Sequence, residues 1–166
     1  MISADLWDRM DPGEAEIVRR SIAMHPVRVG DLAVELGLRV YKSPLPPSIS
    51  GLIRPVPEGE GFEIRVNKYE VPERQRFTLA HEIAHFLIHK SDIRSGVVDS
   101  VMYRSALTSR KEAEANRLAA DIVMPIAAVR KELAARGGVP TEEVALQLAS
   151  LFRVSPPAMK VRLGIA

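Results

Sequence analysis

The sequence contains no cysteine. That absence excludes a disulfide framework, a thiolate-held zinc or iron–sulfur site and a thiol nucleophile, so any metal must be held by nitrogen and oxygen atoms. There is no run of about 18 apolar residues able to cross a bilayer as a helix. Residues 1–18 lack a basic stretch followed by an apolar core, so no secretory leader is expected, and the location expected is cytoplasmic with no membrane partner. An excess of charge of one sign is also missing: 23 Lys and Arg against 21 Asp and Glu leave a net charge of +2. That is no footprint for nucleic acid. Repeats and low-complexity tracts are absent. What remains is 166 residues, 46% apolar and 27% charged, the composition of an ordinary globular domain. A chain of this size buries roughly 70% of its unfolded surface and needs no staples. The expected organisation is one domain over residues 1–166, with residues from about 140 to 166 as a C-terminal helix pair.

Local patterns give an α+β reading. Asp11-Pro12 opens a helix over 13–24, with Ile17, Val18, Ser21 and Ile22 as its buried stripe. A short helix over 29–36 stops at Gly37, a residue suited to the left-handed cap. Residues 38–42 alternate like a strand, and Pro44, Pro46 and Pro47 make the next stretch a stiff loop. Two further strands, 51–54 and 62–67, flank a turn and suggest a small antiparallel sheet. From Pro72 the pattern turns helical. The first helix runs to about His89, with Phe77, Ala80, Ala84, Leu87 and Ile88 as its stripe. Residues 91–105 read as a loop long enough to be functional. Helices are expected over 109–123, 126–136, 142–152 and, after a Ser155 cap, 156–163. The fold expected is a small antiparallel sheet packed against a helical core, with C-terminal helices.

His81-Glu82-Ile83-Ala84-His85 is an H-E-x-x-H sequence inside the expected helix. Four residues advance a helix by about 400° and roughly 6 Å, so the imidazoles stand on one face, one turn apart. Two nitrogens so placed can converge on one Zn²⁺, while Glu82 projects to the side as a general base that is not a ligand. Flanking apolar residues argue against two solvated histidines, because buried imidazoles need partners. His89 continues the row and reads as a partner of the helix C-terminal dipole rather than a ligand. The Gly and His that a metzincin needs at 88 and 91 are Ile88 and Ser91, which excludes that class. A catalytic zinc needs a third protein ligand, and the helix over 109–123 offers two candidates, Glu112 and Glu114. Glu112 shares a face with Asn116, which could orient a histidine by a hydrogen bond. Against this, Ser109 and Glu112 also fit a capping box. Tyr103 could donate a hydrogen bond to an oxyanion. Arg74 and Arg76 could anchor the start of the helix or a substrate backbone.

Three blocks carry a resemblance: Arg74 to His85 as R-x-R-F-T-L-A-H-E-x-x-H, Glu112 to Asn116, and Ala119 to Pro125. Together with the tail from Leu148 to Leu163 they resemble the ImmA/IrrE-type zinc metallopeptidases over roughly residues 67–163. Ala84 stands where Gly is usual, and Leu118 where Phe is usual. The resemblance implies that His81, His85 and Glu112 are zinc ligands and Glu82 the general base. It further implies a regulatory protease whose partner is a helix-turn-helix repressor, with roles in transcription regulation, stress response or toxin–antitoxin pairs.

Two other functions compete. One is a non-catalytic zinc-containing module that senses and binds a repressor; retention of Glu82 favours catalysis, since a structural site needs no base. The other takes 146–163 as a helix-turn-helix that binds DNA. Its second helix offers only Lys160 and Arg162 to phosphates or bases, so direct DNA binding is disfavoured.

Overall fold

The structure is a computed structural model that describes residues 2–94, 98–99 and 109–165, with residues 98 and 99 described at the backbone. Its elements in chain order are α1 (Ala4–Trp7), α2 (Pro12–Ser21), α3 (Val29–Glu35), β1 (Arg39–Ser43), β2 (Gly51–Pro55), β3 (Phe62–Asn67), α4 (Pro72–Ile88), α5 (Lys90–Arg94), β4 (Val98–Asp99), α6 (Ser109–Val123), α7 (Ile126–Ala134), α8 (Glu142–Phe152) and α9 (Pro156–Leu163). The α+β expectation holds: a small sheet packs on a helical core.

Local chemistry accounts for many of the boundaries. The Asp11 carboxylate accepts from the backbone N–H groups of Gly13 and Glu14, capping α2. Ser155 caps α9 in the same way through the Ala158 N–H, and Thr141 caps α8. Gly37 ends α3 at φ +79°, where a side chain would strain the backbone. α2 closes earlier than its apolar stripe suggests, at Ser21. Among the described residues, α5 and β4 occupy part of the stretch read as loop. Both are short pieces held by tertiary contact, α5 by the wholly buried Ile93 and β4 by pairing with β2.

The sheet order is β1-β3-β2-β4. β2 and β3 form the expected antiparallel hairpin, with Ile53 opposite Ile64. β1, however, lies parallel to β3, with Val40 opposite Ile64, so the sheet is mixed rather than wholly antiparallel. The loop over 44–50 carries the chain past the end of β3 to start β2. β3 then returns between the two strands and runs alongside β1, with no crossover helix needed. This proline-rich loop is fastened by one side chain. The Asn67 amide donates to the carbonyls of Leu45, Pro46 and Ile49 at 3.1, 3.2 and 2.9 Å, and its oxygen accepts from the Tyr69 N–H.

α4 is the centre of the molecule. Every residue from Thr78 to Leu87 is buried, whereas the sequence stripe described only one side. The sheet covers it through β2 and β3, and α6 and α3 cover the remainder. Ala80, Ala84, Ala115 and Ala119 are fully buried, and such small residues let helix backbones approach. Ile83, Leu118 and Ile122, all fully buried, supply roughly 1.5–3 kcal/mol each by leaving water. β2 also presses closely on α4. A Cβ on Gly51 would lie 2.5 Å from Thr78 Cγ2 and 2.9 Å from the Arg65 carbonyl oxygen. Among the described residues no helix is long and apolar enough to cross a membrane.

Candidate metal centre

The α4 spacing and the α4–α6 packing bring three of the sequence candidates to one point. His81 Nε2 and His85 Nε2 are 3.1 Å apart. Glu112 Oε2 lies 3.2 Å from His81 Nε2, and Glu112 Oε1 lies 3.2 Å from His85 Nε2. The imidazole planes are nearly perpendicular, at 87°, with centroids 4.7 Å apart. Of the two acidic candidates on α6, Glu112 is the one that reaches both histidines.

These residues fit a metal. A tetrahedral zinc with bonds of about 2.0–2.1 Å sets its donor atoms about 3.3 Å apart, close to the three separations here. Two neutral imidazoles and a carboxylate are a donor set that zinc takes. The electrostatics agree with that donor set. Burial pushes the His85 imidazole below its ordinary pKa, only partly opposed by its hydrogen bond with Glu112, which favours the neutral, ligating form. Burial raises the Glu112 carboxyl, but hydrogen bonds with His81 and His85 outweigh it and hold the group at about 2. Glu82 is fully buried, and its Cγ sits 3.8 Å from where a Cβ on Gly51 would stand. Its side chain therefore passes beneath the start of β2.

His81 and Glu112 lie in the wall of a groove of about 1130 Å³. Phe77 and Thr78 of α4 and Ala113 and Asn116 of α6 continue that wall, and Leu146, Ala149, Pro156 and Ala158 of the C-terminal helices also line the groove. The pair α8–α9 thus serves the site as a wall. Residues 33–164 match the family model for the IrrE N-terminal-like domain, a peptidase family. The chain belongs to the IrrE N-terminal-like peptidase family.

A solved structure of a Mycobacterium tuberculosis transcriptional regulator is similar at a TM-score of 0.57 and 17% identity, over 97% of this chain and 49% of that one. The chain therefore spans about half the length of that regulator, and the likeness is one of fold. A comparison with curated protein sequences gives no match.

Within this IrrE-like chain the other candidates fall in different places. Asn116 is exposed on the groove, and the partner behind His85 is His89 instead. His89 Nδ1 lies 2.9 Å from His85 Nδ1, and its Nε2 lies 3.2 Å from Glu114 Oε1. His89 does follow the last residue of α4, with its N–H on the His85 carbonyl at 2.8 Å. The side chain is nevertheless buried and engaged rather than facing solvent at the helix end. The signal was present in the row 81, 85, 89, one turn apart each time. Tyr103 lies outside the described residues. Arg74 borders the groove and pairs with Glu70 at 3.1 Å. Arg76 Nε and Nη2 are buried without a hydrogen-bond partner among the described residues. Burial, and then the charge of Arg153, lower its pKa.

The two basic residues that the helix-turn-helix reading offered to DNA are both engaged within the fold. Arg162 donates to Asp121 Oδ1 at 2.8 Å and to the Met124 carbonyl at 3.0 Å. Lys160 pairs with Glu142 at 3.2 Å.

Proposed function

We propose that this chain is a zinc-dependent endopeptidase acting on one regulatory protein, a helix-turn-helix repressor, whose cleavage relieves repression in the cytoplasm. The observation that carries the reading is the convergence of His81 and His85 from α4 with Glu112 from α6 beside an open groove, with the buried carboxylate of Glu82 on the same α4 helix. His81, His85 and Glu112 would hold the ion. When bound, zinc supplies Lewis acidity toward a peptide carbonyl and makes water easier to deprotonate. Glu82 takes a proton from the attacking water on its carboxylate oxygen. As the C–N bond breaks, it passes that proton to the departing amide nitrogen, so the products are a free acid and a free amine.

Family membership supports peptidase chemistry, and the regulator relative supports a partner drawn from transcriptional control. The groove argues for a selective protease. Its walls come from α4, α6 and the α8–α9 pair, an extended surface suited to a folded partner, whose interface typically buries about 800 Å² on each side. An unfolded peptide would pay a large ordering cost for the same area.

The test uses zinc-loaded protein, a candidate repressor and an unfolded control protein, with products read by mass spectrometry and zinc by elemental analysis. One discrete cut in the repressor is expected, with the control intact. Glu82→Gln should keep its zinc while turnover falls on the order of 10²–10⁴-fold. Equal degradation of both proteins refutes the selectivity, and loss of zinc in Glu82→Gln refutes the role of Glu82 as base. Tight repressor binding with no cut would identify the non-catalytic module instead.

A further inference from the structure

Behind the metal site runs a second row of side chains, and it ends in a segment that the family match does not cover. His85 Nδ1 meets His89 Nδ1 at 2.9 Å, and His89 Nε2 meets Glu114 Oε1 at 3.2 Å. The other oxygen of Glu114 is engaged by the Arg9 guanidinium. Arg9 also donates to the Ile88 carbonyl at 3.4 Å, at the end of the same helix. His85, His89 and Glu114 are all buried. Arg9 precedes residue 33, where the family match begins.

We infer that His89, Glu114 and Arg9 form a positioning relay that fixes the ring and tautomer of His85 for the metal, so that the N-terminal segment completes the metal site. The inference rests on the reading of His85 as a ligand. The direction of every bond then follows from the donor and acceptor capacity of imidazole. If His85 gives its Nε2 lone pair to a metal, its Nδ1 must carry the proton and donate. His89 Nδ1 must accept, which leaves the His89 proton on Nε2, aimed at Glu114. A carboxylate can only accept there, and Arg9 keeps it charged and held in place. All four groups are satisfied in a single arrangement, and reversing any one bond sets two donors or two lone pairs against each other. A carboxylate behind a ligating histidine raises its basicity and holds its plane. Here the same effect reaches His85 through an intervening imidazole.

The experiment reads zinc affinity and proton placement rather than activity. Zinc is titrated against a chelating dye with wild type, His89→Phe, Glu114→Gln, Arg9→Met and Glu14→Gln. The last variant breaks the ion pair between Glu14 and Lys90, a neighbouring tie from the N-terminal segment that lies outside the relay. His89→Phe and Glu114→Gln should weaken zinc binding by about 10–100-fold, Arg9→Met should weaken it in the same direction by less, and Glu14→Gln should leave it unchanged. Long-range ¹H–¹⁵N spectra of zinc-loaded wild type should place protons on His85 Nδ1 and His89 Nε2. That measurement needs no variant, so a variant that fails to fold leaves the inference testable.

A proton on His89 Nδ1 overturns the relay. So does zinc affinity within twofold of wild type in the folded Glu114→Gln protein. A Glu14→Gln loss equal to that of Arg9→Met overturns it too, by showing that the N-terminal segment acts through packing alone. Failure of wild type to bind zinc would instead refute the metal reading beneath it.

Discussion

Replacing Arg162 with Met keeps the apolar stem and removes the guanidinium that ties α9 to α6. Two bonds vanish together: the 2.8 Å contact to Asp121 and the 3.0 Å contact to the Met124 carbonyl just past α6. The side chains are 17% and 7% exposed, so Asp121 would be left as a nearly buried charge without its cation. Removing one partner of a fully buried pair costs about 3–5 kcal/mol. The residual exposure of Arg162 places this pair at the low end, near 3 kcal/mol. For a chain of this length, each kcal/mol moves the melting temperature by about 2–4 °C, which gives a fall of about 6–12 °C. Circular dichroism melts and urea unfolding measure it. A cycle with Asp121→Asn should show a coupling of about 0.5–3 kcal/mol. A loss below about 1 kcal/mol, or additive single changes, refutes the reasoning and would reopen Arg162 as a residue free to meet a phosphate.

Two further outcomes are expected. Gly51→Ala should destabilise by about 1–3 kcal/mol, since the new methyl meets Thr78 and the backbone oxygen of Arg65,; an unchanged urea midpoint would show that β2 can lift from α4. Acid should weaken the metal-free protein. His85 and His89 are held below the ordinary histidine value, chiefly by burial, so their contribution is complete above about pH 6.5 and shrinks as pH falls,. The Glu112 contribution is present above its ordinary 4.5 and is lost toward about 2. Both therefore act in one direction, and melts in chelator from pH 8 to pH 4 should fall steadily below about 6.5. A flat profile would contradict this.

Much of the architecture was legible because it is written locally. The expected limits of α6, α8 and α9 agree with the structure, since turn residues, caps and prolines act within a few positions. The H-E-x-x-H row was legible because helical spacing converts directly into a shared face, whereas the residues alone left both Glu112 and Glu114 open and the family resemblance favoured Glu112. What escaped the sequence depends on distant partners. Arg9 and Glu114 are separated by 105 residues, and no periodicity links them. α1 is four residues long, too short to show a stripe, and is held by the wholly buried Leu6. The parallel pairing of β1 follows from the route of the 44–50 loop, which strand propensity does not encode. The continuous burial of α4 required knowing that the sheet and the other helices would surround it.

The proline loop and Asn67 have a consequence for how this sequence can drift. Prolines offer carbonyls and no N–H groups of their own, so the loop is rich in acceptors and depends on a donor from elsewhere. One buried, uncharged amide answers three of those carbonyls and accepts from Tyr69 with its other end. Aspartate there would oppose oxygen to oxygen, and leucine would leave the carbonyls dry. Glutamine would carry the same head a methylene too far. Position 67 and the course of residues 45–49 therefore form a lock with two halves. Relatives that replace the asparagine should be found to have rebuilt the loop in the same step, and relatives that keep the loop should be found to have kept the amide.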